Sequence, residues 1–417
     1  MDTIYVTGGN TLRGETRIQG SKNASLPILA ATLLIKGCSR IENCPRIADV
    51  FHMENLLRSL GCGVSWSGNT ITVNAEHVRD CCMSGESVTR MRSSVMLLGP
   101  LLGRLGETVM EYPGGCVIGA RPIDLHLWAL RRMGVEIREE AHGFTAGALS
   151  LRGAEVKLPF PSVGATENIL LAAVLAEGVT VVDNAAREPE ISALCDFLTA
   201  AGAVIEGGGS SRLVVHGVEK LEECSFRIPP DRIVAGTYLI AALAAGGSIF
   251  LEEAPWREME SLLTVAEGMG CGITETEEGL GIDVFRRMRA CPYLQTRVYD
   301  GFPTDLQSPM MAALTVARGK SVIEERIFEN RFRIVGDLKR MGAKIEVSGS
   351  RASICGVERL KAAEVSAGEL RGGAALVVAG LAAEGNTVIR NRHFIERGYE
   401  NICRDLRNLG GDLHCLT

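Results

Sequence analysis

The sequence is poor in the features that mark membrane, secreted and nucleic-acid-binding proteins. Its apolar runs break at a glycine or a charge after ~10–14 residues, short of the ~20 that a spanning helix needs. The start, Met1-Asp2-Thr3-Ile4-Tyr5, has neither the basic nor the apolar segment of a secretion signal. Aromatics make up only 5%, thin for a surface that stacks bases or sugars. The net charge of −6 excludes a global basic field for nucleic acid, though not a local cationic pocket for a small anion. There is no Cys-x-x-Cys pair, and Cys81-Cys82 is a vicinal pair unsuited to tetrahedral zinc. Thirteen cysteines in 417 residues then suggest a reduced, cytoplasmic chain whose thiols are mostly small buried hydrophobes. No Walker loop, strand-linked G-x-G-x-x-G, H-E-x-x-H or G-x-S-x-G occurs, and the seven histidines show no ligand spacing. No metal or cofactor is therefore expected, and no membrane insertion.

Apolar residues at 46% and charged residues at 23% describe an ordinary globular protein, and 48 glycines allow many tight turns. Those glycines are periodic. An apolar helical run followed by glycine and a β-branched stretch occurs six times: Ser25 to Ile35 with Gly37, Ser94 to Leu105 with Gly106, Asn168 to Glu177 with Gly178, Val234 to Ala245 with Gly246, Pro309 to Arg318 with Gly319, and Ala374 to Glu384 with Gly385. A second unit alternates with it: an amphipathic helix ending in an apolar-Gly pair, then an alternating strand. The pairs are Leu60-Gly61, Met133-Gly134, Ala201-Gly202, Met269-Gly270, Met341-Gly342 and Leu409-Gly410, spaced by 73, 68, 68, 72 and 68 residues. Glycine at that place suits the left-handed residue that closes a helix. In the fifth copy the apolar spacing predicts a helix over 333–341 and a strand from Ala343 to Val347. Each ~70-residue repeat thus reads as a βαβαββ-like unit with one buried and one half-exposed helix. Six copies imply two α/β domains of three, with Pro229-Pro230 as the natural crossover. The strand Ile4-Tyr5-Val6 fits either half.

Three stretches are odd for a purely structural sequence. Gln19-Gly20-Ser21-Lys22-Asn23-Ala24 precedes an apolar helix, where Ser21 or Asn23 serves as a cap or the whole segment as an anion cradle. Pro113-Gly114-Gly115-Cys116-Val117-Ile118-Gly119-Ala120-Arg121-Pro122-Ile123-Asp124 reads as a mobile loop that exposes a thiol beside an arginine, the setting of a reactive cysteine. Asp300-Gly301-Phe302-Pro303-Thr304-Asp305-Leu306-Gln307 again precedes an apolar helix, and Asp305 is either its cap or a general base. Arg92, Arg121, Arg331, Arg371 and Arg397 lie near repeat helices, and as a set suggest a polyanionic substrate.

With these motifs the chain resembles the bacterial UDP-N-acetylglucosamine enolpyruvyl transferases over nearly its whole length, from Ile18-Gln19-Gly20-Ser21-Lys22-Asn23 to Glu396-Arg397-Gly398-Tyr399-Glu400. The Cys116 loop, Ala186-Arg187-Glu188-Pro189-Glu190-Ile191 and Phe302-Pro303-Thr304-Asp305 carry the likeness. The resemblance implies a two-domain inside-out α/β barrel, with residues 22–229 as one three-repeat domain and 1–21 with 230–417 as the other. It implies cofactor-free addition–elimination between phosphoenolpyruvate and the sugar 3-hydroxyl, with the domains closing around the substrates. Cys116 would give a proton to C3 of phosphoenolpyruvate, and Asp305 would receive the hydroxyl proton. Lys22, Arg121 and Arg397 would hold phosphate and carboxylate, with Arg331 and Arg371 beside them. Asn23, Arg92, Arg121, Pro122, Ile123, Asp124, Leu125, Ser162, Val163, Gly164, Asp305 and Ile327 would contact the UDP-sugar. Cations beside Cys116 favour thiolate, so substrate binding is expected to raise its pKa on closure. The sister shikimate-pathway enzyme lacks the cysteine loop; it and an idle UDP-sugar-binding paralogue are the alternatives. A monomer or weakly self-associating species is expected. Three departures stand out: Phe160 where some relatives carry lysine, Glu369 where aspartate is common, and His393-Phe394 where an aromatic precedes histidine.

Overall fold

The structure, a computed structural model, describes residues 2–85, 88, 92–114 and 123–416. Cys116, Arg121 and Pro122 lie outside the described residues. Contacts divide the chain into two units, one of residues 20–114 and 123–229, the other of residues 2–19 and 230–416.

In the first unit the repeats supply helix pairs α1 (Lys22–Ala31) and α2 (Ala48–Ser59), α3 (Leu98–Leu105) and α4 (Asp124–Arg132), and α5 (Val163–Ala173) and α6 (Pro189–Ala200). The first member of each pair is apolar almost all round, so it is stable only when surrounded. In α5, for example, Ala165 through Ala173 are all buried. The second member buries one face, as α4 does with His126, Leu127, Ala129 and Leu130. A four-stranded sheet covers each pair. In the first sheet Cys38–Glu42 and Gly63–Ser67 both run antiparallel to Thr70–Asn74, which turns Ile41, Ile71, Val73 and Val64 inward. The fourth strand of every sheet is lent by the preceding repeat and pairs in parallel, because a buried helix carries the chain across. Glu155–Lys157 joins Val179–Asp183 through α5 in this way. Cys224–Arg227, from the third repeat, joins Cys38–Glu42 of the first, with Phe226 opposite Ile41, and closes the ring.

The second unit repeats the plan with α7 (Arg232–Ala245) and α8 (Glu260–Met269), α9 (Gln307–Leu314) and α10 (Val335–Arg340), and α11 (Leu370–Leu381) and α12 (Ile402–Asn408). Helices α7, α9 and α11 pack on one another, and every residue of α9 and α11 is buried. The amino-terminal strands settle the open assignment of Ile4-Tyr5-Val6. Thr3–Thr7 lies between Asn386–Arg390 and Asp412–Leu416, and Leu12–Arg17 pairs in parallel with Gly247–Glu252.

All six glycines of the apolar-Gly pairs have φ between 84° and 103°, the left-handed closure read from the sequence. The helix expected over 333–341 divides into a 3-10 turn, Arg331–Ile334, and a short α-helix, because the buried Arg331 is drawn to a carboxylate. The cysteines also differ from expectation. Of the ten free thiols described, four are buried, five half-buried and Cys82 is exposed, while Cys403 and Cys415 form a disulfide between α12 and the last strand.

Candidate active site

The candidate residues gather where the buried helices begin. In the first unit Ser21 caps α1, accepting from the Ala24 amide at 3.3 Å, and Ser162 caps α5 in the same way from Ala165. Ser21, not Asn23, is therefore the cap; Asn23 sits half-buried in the first turn. No acidic residue occurs in the first turn of α1, α3 or α5, so nothing within those turns offsets the positive end of the helix dipole. The Lys22 ammonium stands 3.1 Å from Asp49 Oδ2 on α2, a carboxylate only 2% exposed. Arg92 opens the 3-10 turn Arg92–Leu97 that leads into α3. Arg92, Ile123, Asp124 and Leu125 line one cavity of about 770 Å³, together with Trp128 and Lys157. Lys22, Asn23, Ser162, Val163 and Gly164 are not among its lining residues.

In the second unit Asp305 is not the cap of α9. It lies in the 3-10 turn Thr304–Leu306 and is gripped from both sides. Arg331 Nη2 donates to Oδ1 at 2.6 Å, while Arg371 Nη2 and Nε donate to Oδ2 at 3.1 and 3.3 Å. Both guanidiniums are at most 4% exposed, whereas Asp305 keeps 25% exposure, enough for a substrate group to approach. Burial alone would lower the Arg371 pKa, but Asp305, Tyr399 and Asp231 together outweigh it and hold Arg371 above the ordinary arginine range. Arg371 also lies over the Tyr399 ring at 5.8 Å, and the Tyr399 hydroxyl shares a 2.8 Å hydrogen bond with Thr237 of α7.

Two further carboxylates finish this end. Glu369 caps α11 through the Arg371 and Gly372 amides, and its Oε2 lies 3.8 Å from Arg331 Nη1. A Cβ on Gly372 would meet Glu369 Oε1 at 2.6 Å, so the glycine makes room for the longer acid to fold back. Asp231 caps α7, accepting from Ile233 and Val234 at 2.8 and 3.0 Å. Glu325 accepts from Thr296 and Thr304 hydroxyls and from the Ile327 and Phe328 amides, tying Ile327 to the turn that carries Asp305. Arg397 is half-buried, two residues before Tyr399. Arg331 Nε and Arg371 Nη1 are buried donors without an acceptor among the described residues. No cluster of three or more His, Cys, Asp or Glu side chains is placed to hold a metal among the described residues.

Sequence reasoning missed Asp49, Tyr399, and the His126–Asn168 pair, whose rings and amide meet at 2.8 Å. A signal existed for the last: Glu167 and Asn168 are polar residues within the mostly apolar, buried stretch Ala165–Ala173 of α5.

Three buried helices ringed by sheets, twice over, define the enolpyruvyl-transferase class of fold. The enolpyruvyl transferase NikO from Streptomyces tendae matches with a TM-score of 0.89 at 23% identity, over 99% of this chain and 98% of that one. The EPSP synthase from Acinetobacter baumannii matches at 0.77 and 18% identity, over 99% of each chain. The chain belongs to the EPSP synthase (3-phosphoshikimate 1-carboxyvinyltransferase) family, whose profile spans residues 6–406. Among its relatives, the UDP-N-acetylglucosamine 1-carboxyvinyltransferase 2 of Caldanaerobacter subterraneus subsp. tengcongensis is 45% identical over 99% of both chains. The UDP-N-acetylglucosamine 1-carboxyvinyltransferase of Nitratidesulfovibrio vulgaris strain Miyazaki F is 45% identical over 98% of both.

Proposed function

We propose that this protein transfers the enolpyruvyl group of phosphoenolpyruvate to the 3-hydroxyl of UDP-N-acetylglucosamine, with release of phosphate, as a cytoplasmic enzyme in the first committed step of peptidoglycan synthesis. The UDP-sugar acceptor and the carboxyvinyl transfer are supported by the names of relatives at 45% identity over the full length, while the match to the EPSP synthase structure is at 18%. The observation that carries the chemistry is Asp305, a partly exposed carboxylate fixed by two buried guanidiniums.

In the addition step the sugar oxygen bonds to C2 of phosphoenolpyruvate, its proton passes to Asp305, and C3 gains a proton from Cys116. In the elimination step C3 returns a proton to the Cys116 thiolate and the C2–O bond to phosphate breaks, the proton held by Asp305 leaving with the phosphate, which restores the vinyl group. C2 becomes cationic in character and phosphate leaves as a dianion, so fixed opposing charges lower both barriers. Lys22, Arg121 and Arg397 take the phosphate and carboxylate, with Lys22 oriented by Asp49. Arg331, Arg371 and Glu369 keep the Asp305 carboxylate from turning. Asn23, Arg92, Ile123, Asp124, Leu125, Ser162, Val163, Gly164 and Ile327, with Arg121 and Pro122 from outside the described residues, bind the UDP-sugar. The 770 Å³ cavity beside Arg92 supports a nucleotide-sized occupant.

Phosphate release from phosphoenolpyruvate tests the reading, with UDP-N-acetylglucosamine and shikimate 3-phosphate as rival acceptors. Release with the UDP-sugar alone, and a product heavier by the enolpyruvyl group, is expected. Release only with the shikimate acceptor, or tight UDP-sugar binding without release, would overturn it.

A further inference from the structure

Within the stretch Gln19-Gly20-Ser21-Lys22-Asn23-Ala24, Gln19 alone belongs to the second unit, and the mechanism leaves it unused. Its side chain is buried, with 8% of the residue exposed. The amide grips one short segment at two points. Nε2 donates to the Gly398 carbonyl at 3.1 Å, and Oε1 accepts from the Glu400 amide at 2.8 Å. These partners fix the orientation of the amide, since a carbonyl faces its nitrogen and an N–H faces its oxygen. The Gln19 backbone carbonyl accepts from the Asp231 amide at 2.9 Å, which anchors the residue at the cap of α7.

The gripped groups lie outside any helix or strand, where no ladder holds the backbone. They flank Tyr399, which is 1% exposed, carries Arg371 over its ring and is bonded through its hydroxyl to Thr237. Gly398 also packs on the start of α11, where an added Cβ would meet Leu370 side-chain carbons at 2.8 and 3.0 Å. Residues 398–400 are thus held by Gln19, α7 and α11 together. Arg397 is the next residue along the chain.

We propose that Gln19 is a positioning residue, whose amide clasps the backbone on either side of Tyr399 and so aims Arg397 at phosphoenolpyruvate. This rests on the reading above, in which Arg397 holds phosphate and carboxylate. Gly398 needs a donor and Glu400 an acceptor, so neither an apolar nor an acidic side chain of similar length makes both bonds. A shift of Arg397 by about 1 Å is enough to weaken a charged clamp severely.

Two measurements on the full chain test it. Hydrogen exchange at the Glu400 amide should quicken about tenfold or more in Gln19→Met, which loses both bonds. It should stay slow in Gln19→Glu, which keeps the acceptor and puts a carboxylate oxygen against the Gly398 carbonyl. In steady-state kinetics both variants should raise KM for phosphoenolpyruvate about tenfold or more, with KM for the UDP-sugar within about twofold of wild type. A general loosening of the fold would raise both constants together. Unchanged Glu400 exchange in Gln19→Met overturns the clasp. Equal rises in the two KM values, or a rise in neither, overturn its role in aiming Arg397. Should Gln19→Met fail to fold, the near-isosteric Gln19→Glu still decides by its KM values. Exchange is read without turnover, so absent phosphate release in wild type would count against the enzymatic reading and leave the clasp to be judged by exchange.

Discussion

Where the buried helices of residues 20–229 begin, the caps are neutral, Ser21 for α1 and Ser162 for α5. Where those of the other unit begin, each is met by a carboxylate: Asp231 on α7, Asp305 before α9 and Glu369 on α11. The topology is the same, so the difference lies in the side chains placed at equivalent points. Neutral caps leave the positive ends of the helices to attract an anionic substrate. The carboxylates cancel that attraction, and Asp305 and Glu369 build with Arg331 and Arg371 a charged cluster suited to moving a proton. One unit presents uncharged helix starts, the other a carboxylate held between two buried guanidiniums.

The largest effect should come from breaking the cluster. Asp305→Ala is expected to lower phosphate release on the order of a thousandfold, as for loss of a proton-transfer group. It should also cost about 3–5 kcal/mol in urea unfolding, because two buried guanidiniums lose their partner. A variant of wild-type stability would show that Asp305 does not tie the helix starts together. Cys116→Ser should reduce turnover severely, since a hydroxyl is a far weaker acid than a thiol.

Making residues 20–229 resemble the other unit is the next test. Ser162→Asp keeps a good cap but adds a negative charge, so unfolding free energy should hold while KM for the UDP-sugar rises about tenfold or more. An unchanged KM would separate the cap from the substrate. Glu369→Ala should cost about 1 kcal/mol of stability as a lost cap and lower kcat several-fold by loosening Arg331. If Glu369→Asp recovers both, the extra methylene accommodated by Gly372 is immaterial.

The smallest effect concerns the thiols. Burial pushes Cys62 and Cys271 up to about 11 and Cys195 up to about 12. Alkylation needs the thiolate, which at pH 8 is about one part in a thousand for a pKa of 11. Mass mapping of the native protein should therefore find these three protected, and the exposed Cys82 modified. The pH profile of Cys116 alkylation should shift upward when phosphoenolpyruvate and the UDP-sugar are bound; an identical profile would refute the idea that substrate neutralises its cationic surroundings.

The repeats were legible because a helix closed by a left-handed residue demands glycine, which marks the chain at six equivalent places. The buried helices were legible because apolar residues circle them almost completely. The partners were less so. That Asp49 pairs with Lys22 depends on how α2 lies against α1, and nothing in the spacing of 27 residues records it. Asp305 reads equally well as a cap, and only its turn and the approach of Arg331 and Arg371 decide otherwise. The place of Thr3–Thr7 depends on strands nearly 400 residues away, beyond the reach of local patterning.

Those amino-terminal strands bear on how the molecule is made. Residues 2–19 belong to the unit that is finished last, and Thr3–Thr7 cannot pair until Asn386–Arg390 has emerged, nor on both edges until Asp412–Leu416 follows. At ~5–20 residues per second Thr3–Thr7 waits for tens of seconds, while residues 20–229 already have every strand they need for their own ring. One unit is therefore complete while the other still lacks strands, and a segment made before either is among the last to find its place.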